Sequence, residues 1–452
     1  MPDFTAIDPY IADHLDETIA ELSMLCAQPS VSATGEGIEA CAELVAGMLR
    51  RRGLTVEVHP TPGSPILYAE GGSGAKTLLF YNHYDVQPPE PLELWVSPPF
   101  QPTIRDGKMY ARGVSDDKGH IICRLAALDA IRAVTGSYPC RVKFIIEGEE
   151  ETSSAHLPGF VHDHAEKLKA DGCVWEYGGV NFAGRPLQSL GMRGICYVEL
   201  HAQTADQDAH SGLGGSIFPN AAWRLIWALN ALKDRDENIL IPGFYDAVKA
   251  PTARDLEMLA ALPDDSEDMK ARFGLKQGFL EGLTGGTDLR AREVFQPTCT
   301  ICGLTSGYQG PGSKTVLPAK ASAKVDFRLV PDQDPNDILS KLRKHLDAQG
   351  FQDIAIESHG GGRPGRTNPD DPFVKMAREA ARQVYGMEPI VRPMVGGSGP
   401  NAAFIDALHV PIVSAGIADP GDQLHAPNEN IVLDNLLMGI RHTARIVAGL
   451  GA

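Results

Sequence analysis

Between residues 9 and 28 the apolar side chains Ile11, Leu15, Ile19, Leu22 and Leu25 recur every three or four positions, and the run stops before Pro29. That spacing predicts an amphipathic helix with one buried stripe. A second helical pattern fills 36–52 and is closed by Gly53. The texture then becomes β-like, with short runs at 55–59, 66–70 and 77–83. The stretch 103–110 carries Asp106-Gly107 at its centre and predicts a hairpin. A helical run from Gly119 to about Val134 and an apolar strand at 142–146 follow. Strands alternating with helices predict an α/β sheet covered by helices on both faces.

From about Gly194 the pattern changes. Strands are predicted at 194–203, 298–305, 320–329 and 352–357, with helices at 220–232 and 336–348. Between them, 240–297 is rich in charge, Pro and Gly and reads as an elaborated insertion. The run His359-Gly-Gly-Gly-Arg-Pro-Gly-Arg reads as a hinge, after which α/β alternation resumes with a helix at 372–385, a strand near 411–414 and a last helix at 431–449. No internal repeat is apparent. The expected organisation is an α/β catalytic domain with a mixed central sheet flanked by helices (1–193 and 363–452), interrupted by a smaller α+β lid domain (194–362).

Composition narrows the function without altering that layout. The chain has 452 residues, is 43% apolar and 22% charged, and carries 58 acidic against 41 basic residues, a net charge of −17. These are globular values. An acidic field of that size repels phosphate backbones, so nucleic acid is not an expected partner. The N-terminal segment is acidic and amphipathic, unlike a signal peptide, and no apolar run approaches a membrane span. Eight scattered cysteines fit reduced thiols and a cytoplasmic location. Cys299 and Cys302 form a lone CxxC in a strand-like stretch and read as strand thiols rather than a redox or zinc pair.

Five segments carry candidate chemistry. In Tyr81-Asn-His-Tyr-Asp-Val-Gln-Pro a predicted strand ends with His83 and Asp85 facing the same way, so the carboxylate can orient the imidazole; alone, the pair is equally a structural feature. In Ala111-Arg-Gly-Val-Ser-Asp-Asp-Lys-Gly the adjacent Asp116 and Asp117 repel unless a cation is near, or one of them caps the next helix. Ile145-Ile-Glu-Gly-Glu-Glu-Glu-Thr places three carboxylates after a buried strand, with Glu150 and Glu151 expected on opposite sides. Cys173-Val-Trp-Glu supplies Glu176 at another strand end, and Asp422-Gln-Leu-His-Ala-Pro-Asn-Glu supplies His425 on a loop. Two imidazoles with several carboxylates suit a pair of divalent cations, each taking one His and one carboxylate with a further carboxylate shared. Such a pair, roughly 3.5–4 Å apart, lowers the pKa of water and polarises a carbonyl.

The pieces His83-Tyr-Asp-Val-Gln-Pro, Arg112-Gly-Val-Ser-Asp-Asp-Lys-Gly, Glu147-Gly-Glu-Glu-Glu-Thr, Asp208-Ala-His-Ser-Gly and Leu424-His-Ala-Pro-Asn-Glu resemble in wording and order the di-zinc metallopeptidase family of carnosinases, carboxypeptidase G, aminoacylases and succinyl-diaminopimelate desuccinylase. The resemblance spans nearly the whole chain and is nearest to the carnosinase-like dipeptidase branch, which shares the His-x-Asp-Val-Gln-Pro wording and a long lid insertion. It implies that His83 and Glu176 hold one metal, that Glu151 and His425 hold the other, and that Asp116 bridges. Asp85 would orient His83, and Glu150 would be general base and acid; Glu149 and Glu150 remain an alternative alignment for the catalytic pair. His210 would stabilise the oxyanion, Arg328 would grip the substrate carboxylate, and the loop with Gly397 and Ser398 would touch substrate.

The resemblance further implies two divalent ions, Zn²⁺ foremost with Mn²⁺ or Co²⁺ as alternatives, and a homodimer joined through the lids. The expected activity is hydrolysis of dipeptides or short peptides with a free C-terminal carboxylate. An N-acyl- or N-carbamoyl-amino-acid amidohydrolase is the alternative enzyme, and an inactive binding protein the alternative outside catalysis.

Overall fold

The computed structural model describes residues 4–280 and 282–452. The first three residues of the acidic N-terminal segment, and residue 281 of the predicted 240–297 insertion, lie outside the described residues. The chain divides into two compact units. One comprises Met1–Gly191, Arg366–Met394 and Pro400–Ala452, the other Met192–Gly365 and Val395–Gly399.

The first unit is built on a six-stranded mixed sheet. Its strands are β1 (Thr55–His59), β2 (Ile66–Gly71), β3 (Thr77–His83), β4 (Arg141–Glu147), β5 (Gly172–Trp175) and the edge strand Ile412–Ser414. Their spatial order is β1-β2-β4-β3-β5 followed by the edge strand. β1, β2 and β4 run antiparallel in turn, whereas β4, β3, β5 and the edge strand are mutually parallel neighbours. Every residue of β3 after Thr77, of β4 after Arg141 and of β5 is buried. Burial on both faces is why these strands read as continuous apolar runs rather than alternating ones. The helix Lys118–Thr135 buries Ile121, Ile122, Leu125, Leu128 and Ile131, and packs against the last helix, Leu433–Leu450.

The helix expected at 9–28 is two helices, Phe4–Asp13 and Leu15–Ala27. His14 leaves helical geometry between them, and its Nδ1 and backbone N–H both reach the Tyr10 carbonyl. The hairpin forms as read, with positive φ at Asp106 and Gly107.

The second unit is a sheet of β6 (Gly191–Gln203), β7 (Thr300–Ser306), β8 (Lys320–Leu329) and β9 (Ala355–Gly362), in the antiparallel order β7-β8-β6-β9. Along β6 burial alternates: Cys196, Val198, Leu200 and Ala202 enter a core with Leu225 and Ala228 of the helix Ala221–Asn230 and Ile338, Leu342 and Leu346 of the helix Pro335–Ala348. Among the described residues, the 240–297 stretch contains three helices, Ala253–Ala260, Ser266–Phe273 and Gly286–Phe295.

Two further expectations change. The glycine run at 359 is largely strand: β9 continues through His359 to Gly362 with an irregularity between Ser358 and Gly361. A Cβ on Gly361 would meet the Ile195 carbonyl at 2.9 Å and Pro335 at 2.7 Å, so glycine there permits close packing rather than bending. Val395–Gly399 joins the second unit, beyond the 194–362 stretch assigned to it from the sequence, because Val395 and Ser398 pair in parallel with Met192 and Arg193.

One buried histidine makes the first unit's stability pH-dependent. His442 on the last helix is 5% exposed, and its Nε2 lies 3.2 Å from the Ala377 carbonyl of the helix Pro372–Tyr385. Burial lowers its pKa to about 4. A histidine depressed in the folded state contributes stability above its unfolded pKa of about 6.5, lost as pH falls toward 4. Urea titrations from pH 7 to 4 should therefore show a loss of up to about 3 kcal/mol that His442→Gln removes. An identical pH slope in the variant would refute this.

Candidate metal centre

Three of the candidate segments hang from the parallel part of the first unit's sheet, where strand ends in open α/β folds form ligand sites. β3 ends on His83, which pairs in register with Glu147, the last residue of β4. Glu150 and Glu151 follow in a short 3₁₀ turn, Glu150–Thr152, and Glu176 directly follows β5. The loop from 111 to 117 delivers Asp116 ahead of the helix Lys118–Thr135. His425 comes from the loop before the strand Asn430–Val432, with its backbone at φ +57°.

His83 and His425 meet on Asp116. Its Oδ1 lies 3.0 Å from His83 Nε2 and its Oδ2 3.0 Å from His425 Nε2. Glu151 Oε2 stands 3.2 Å from the same His425 nitrogen and accepts from Gln87 Nε2 at 2.9 Å. Asp116, Glu151 and His425 thus offer donor atoms all within 4.8 Å of one another. The other face of the His83 ring is fixed, with Nδ1 3.0 Å from the Asp85 carbonyl and 3.3 Å from Asp85 Oδ1. Asp85 lies beyond the end of β3 rather than on it, and its carboxylate also accepts from the backbone N–H groups of Glu150 and Glu151. One carboxylate therefore sets both the imidazole and the glutamate turn.

Neighbouring acids turn away from this point. Glu149 accepts from the Ser64 N–H at 3.1 Å and pairs with His156 Nδ1 at 2.6 Å. The expectation that Glu150 and Glu151 diverge by strand alternation does not hold, because β4 ends at Glu147 and the turn takes over. Asp117 does not cap its helix; its Oδ2 accepts from Asn82 Nδ2 at 2.6 Å and from the His83 N–H. The Asp116–Asp117 peptide is cis.

The electrostatics are those of crowded buried acids. Burial, reinforced by Asp116 and Glu151 against the opposing His83, pushes Glu150 up to about 8. Burial and the Glu150 charge push Glu176 well above the carboxylate range, and its Oε2 has no hydrogen-bond partner among the described residues. Hydrogen bonds to Asp116 and Glu151 raise His425 to about 10. Burial disfavours charge on His83 and Asp116, yet their mutual bond holds the imidazole pKa well above and the carboxylate pKa well below their ordinary values. The donor set, two imidazole nitrogens with the carboxylates of Asp116, Glu151 and Glu176 and an unpartnered buried Glu176 oxygen, fits divalent cations.

Residues 79–449 match Peptidase family M20/M25/M40. The human Beta-Ala-His dipeptidase is 30% identical over 401 residues, covering 84% of this chain and 76% of that protein. This chain belongs to the M20 peptidases. The Cys-Gly metallodipeptidase of Schizosaccharomyces pombe is 28% identical, with 94% of both chains covered. Among solved structures, an M20 family metallo-carboxypeptidase from Sulfolobus solfataricus superposes with a TM-score of 0.92 at 37% identity, covering 96% of this chain and 99% of that one. Human carnosine dipeptidase 1 superposes with a TM-score of 0.82 at 27% identity over 99% and 100% of the two chains. As an M20 member the protein is a hydrolytic enzyme with divalent-metal chemistry.

In the second unit of this M20 peptidase, Arg328 Nη1 donates to Ser398 Oγ at 2.8 Å, and Ser398 Oγ donates to the Gly194 carbonyl. Gly397 precedes that serine on the strand Val395–Ser398. His210 is exposed at the start of a short turn, its Nδ1 accepting from the Gly212 N–H. Cys299 is buried and Cys302 exposed, both as free thiols.

Sequence reasoning missed residues that hold the ligand set: Gln87 on Glu151, Asp422 beneath the His425 loop, and Glu429 beneath the Asp116 loop. Gln87 and Glu429 lie inside the segments that carried the resemblance and Asp422 just before one, but polar letters in a motif do not announce which are buried. Removing the shared carboxylate is the direct test of convergence. Asp116→Ala should weaken uptake of Zn²⁺ or Mn²⁺ at least tenfold in calorimetric titration; undiminished uptake would show that the imidazoles bind no common ion.

Proposed function

We propose that this chain is a two-zinc dipeptidase acting on dipeptides and short peptides that carry a free C-terminal carboxylate. The observation that carries the reading is the Asp116 carboxylate between two imidazoles, 3.0 Å from each, with Glu151 on the second. His83 and Glu176 would hold one ion, Glu151 and His425 the other, and Asp116 both. When bound, the ions polarise the scissile carbonyl and acidify an attacking water.

The chain's own residues do the rest. Asp85 holds the His83 ring by Nδ1, leaving Nε2 as the donor. Glu150 takes the proton of the attacking water and returns it to the leaving amine. Its buried position and elevated pKa suit a group that must carry a proton between two steps near neutrality. The alternative Glu149 assignment is disfavoured, because both Glu149 oxygens are engaged by Ser64 and His156. His210 would steady the oxyanion, and Arg328, with Ser398 and Gly397 beside it, the substrate carboxylate.

The substrate class rests on the relatives, named as dipeptidases for Beta-Ala-His and Cys-Gly and as a metallo-carboxypeptidase. A homodimer through the second unit is part of the reading. That unit exposes Trp223, Ile226 and Trp227 on one helix and Ile301 and Leu304 on the edge strand β7, side chains that a second copy could cover.

Turnover of β-Ala-His, Cys-Gly and N-acetylated amino acids, alongside zinc analysis, tests the activity. Two zincs per chain with cleavage of the dipeptides alone is expected. Preference for the acetylated compounds would overturn the substrate class. Glu150→Gln should retain metal and lose turnover by about 10²–10⁴-fold; normal turnover would remove Glu150 as the base. His210→Ala should lower kcat about 10²–10³-fold with zinc content intact, and loss of zinc would contradict its role.

A further inference from the structure

The loop that carries His425 is fastened at both ends to the loop that carries Asp116. At one end Glu429, 1% exposed, takes four donors on its carboxylate. Oε1 accepts from the Ser115 and Asp116 N–H groups at 2.9 and 3.0 Å, and Oε2 from the Gly113 N–H at 2.9 Å and Arg112 Nη1 at 2.8 Å. The Glu429 carbonyl also accepts from the Ala111 N–H. At the other end Asp422 Oδ2 accepts from Ser115 Oγ at 2.9 Å and Tyr177 Oη at 2.8 Å. The Asn430 N–H donates to the Asp422 carbonyl and closes the loop on itself.

The enclosed segment needs this fastening. Gln423, His425 and Asn428 all adopt left-handed φ, of +56°, +57° and +65°. Left-handed backbone is disfavoured for residues with a β-carbon, least so for asparagine. A loop with three left-handed residues does not hold one shape through local preference. Three consecutive-loop N–H groups aimed at one carboxylate likewise define the direction in which Asp116 leaves the backbone, and neither Glu429 nor Asp422 lies within the donor set itself.

We infer that Glu429, with Asp422 as its counterpart, is a positioning residue that presets the Asp116–His425 separation before any ion arrives. The inference rests on the two-ion reading above. The pair makes one rigid receptor from chain segments about three hundred residues apart, as charge-assisted bonds to buried carboxylates do elsewhere around metal sites. Its consequence is affinity: the ions would be retained because their ligands need no rearrangement.

Metal-stripped full-length protein titrated with Co²⁺, followed by visible absorption and by competition with a chelator, tests this. For Glu429→Gln the weaker of the two dissociation constants should rise about 10–100-fold, with turnover recovered at excess metal and Glu429→Asp intermediate. Should Glu429→Gln fail to fold, Asp422→Asn carries the same test with fewer bonds lost. Thermal unfolding of each metal-free variant separates global damage from the local effect. Dissociation constants equal to wild type in folded Glu429→Gln or Asp422→Asn would overturn the inference. Wild-type protein taking up fewer than two Co²⁺ would instead overturn the two-ion reading, so the two failures are distinguishable.

Discussion

The structure of the first unit is organised around the cost of burying like charges. Asp116, Glu150, Glu151 and Glu176 stand close together on the carboxyl side of a sheet whose strands are sealed from water. Each buried carboxylate carries a desolvation penalty of several kcal/mol unless it is paired. His83 and His425 offset part of it by bonding to Asp116 from either side. The surrounding polar bonds have the same purpose. Asp85, Asp117, Glu429 and Asp422 each accept two or more donors from residues next to or among His83, Asp116, Glu151 and Glu176.

That constraint also separates acids that look alike in sequence. Glu147, Glu149, Glu150 and Glu151 fall within one acidic stretch, yet each has a different environment. Glu147 is buried beneath Tyr81 Oη and Ser154 Oγ, and Glu149 is spent on Ser64 and His156. Glu151 meets His425, and Glu150 has its pKa raised chiefly by burial. Adjacent letters become distinct groups because a strand end and a tight turn rotate successive side chains through large angles.

Much of this was legible beforehand. Fully buried parallel strands announce themselves as apolar runs, so β3 and β4 were located closely by their composition, and the carboxylates after them stood out as unlike any solvated face. The family resemblance, confirmed by the match over residues 79–449, tied the scattered segments to one chemistry. What stayed hidden depends on tertiary geometry. No period marks the break at His14, since local stacking on Tyr10 sets it. The glycine run at 359 carries the composition of a hinge, but pairing with β6 makes it strand. Glu429 sits in a quoted motif, and only the fold brings three amides and an arginine to it.

The second unit interrupts the first in the chain, and His425 lies downstream of that interruption while His83, Asp116, Glu151 and Glu176 lie upstream. During synthesis the ribosome therefore releases four of these five residues long before the fifth exists. The Glu429 fastening comes later still. A nascent chain emerging N-terminus first passes through a stage with the acidic strand ends formed and no second imidazole to neutralise them. On the two-ion reading proposed above, a chain interrupted before residue 425 would carry the acids without the second imidazole.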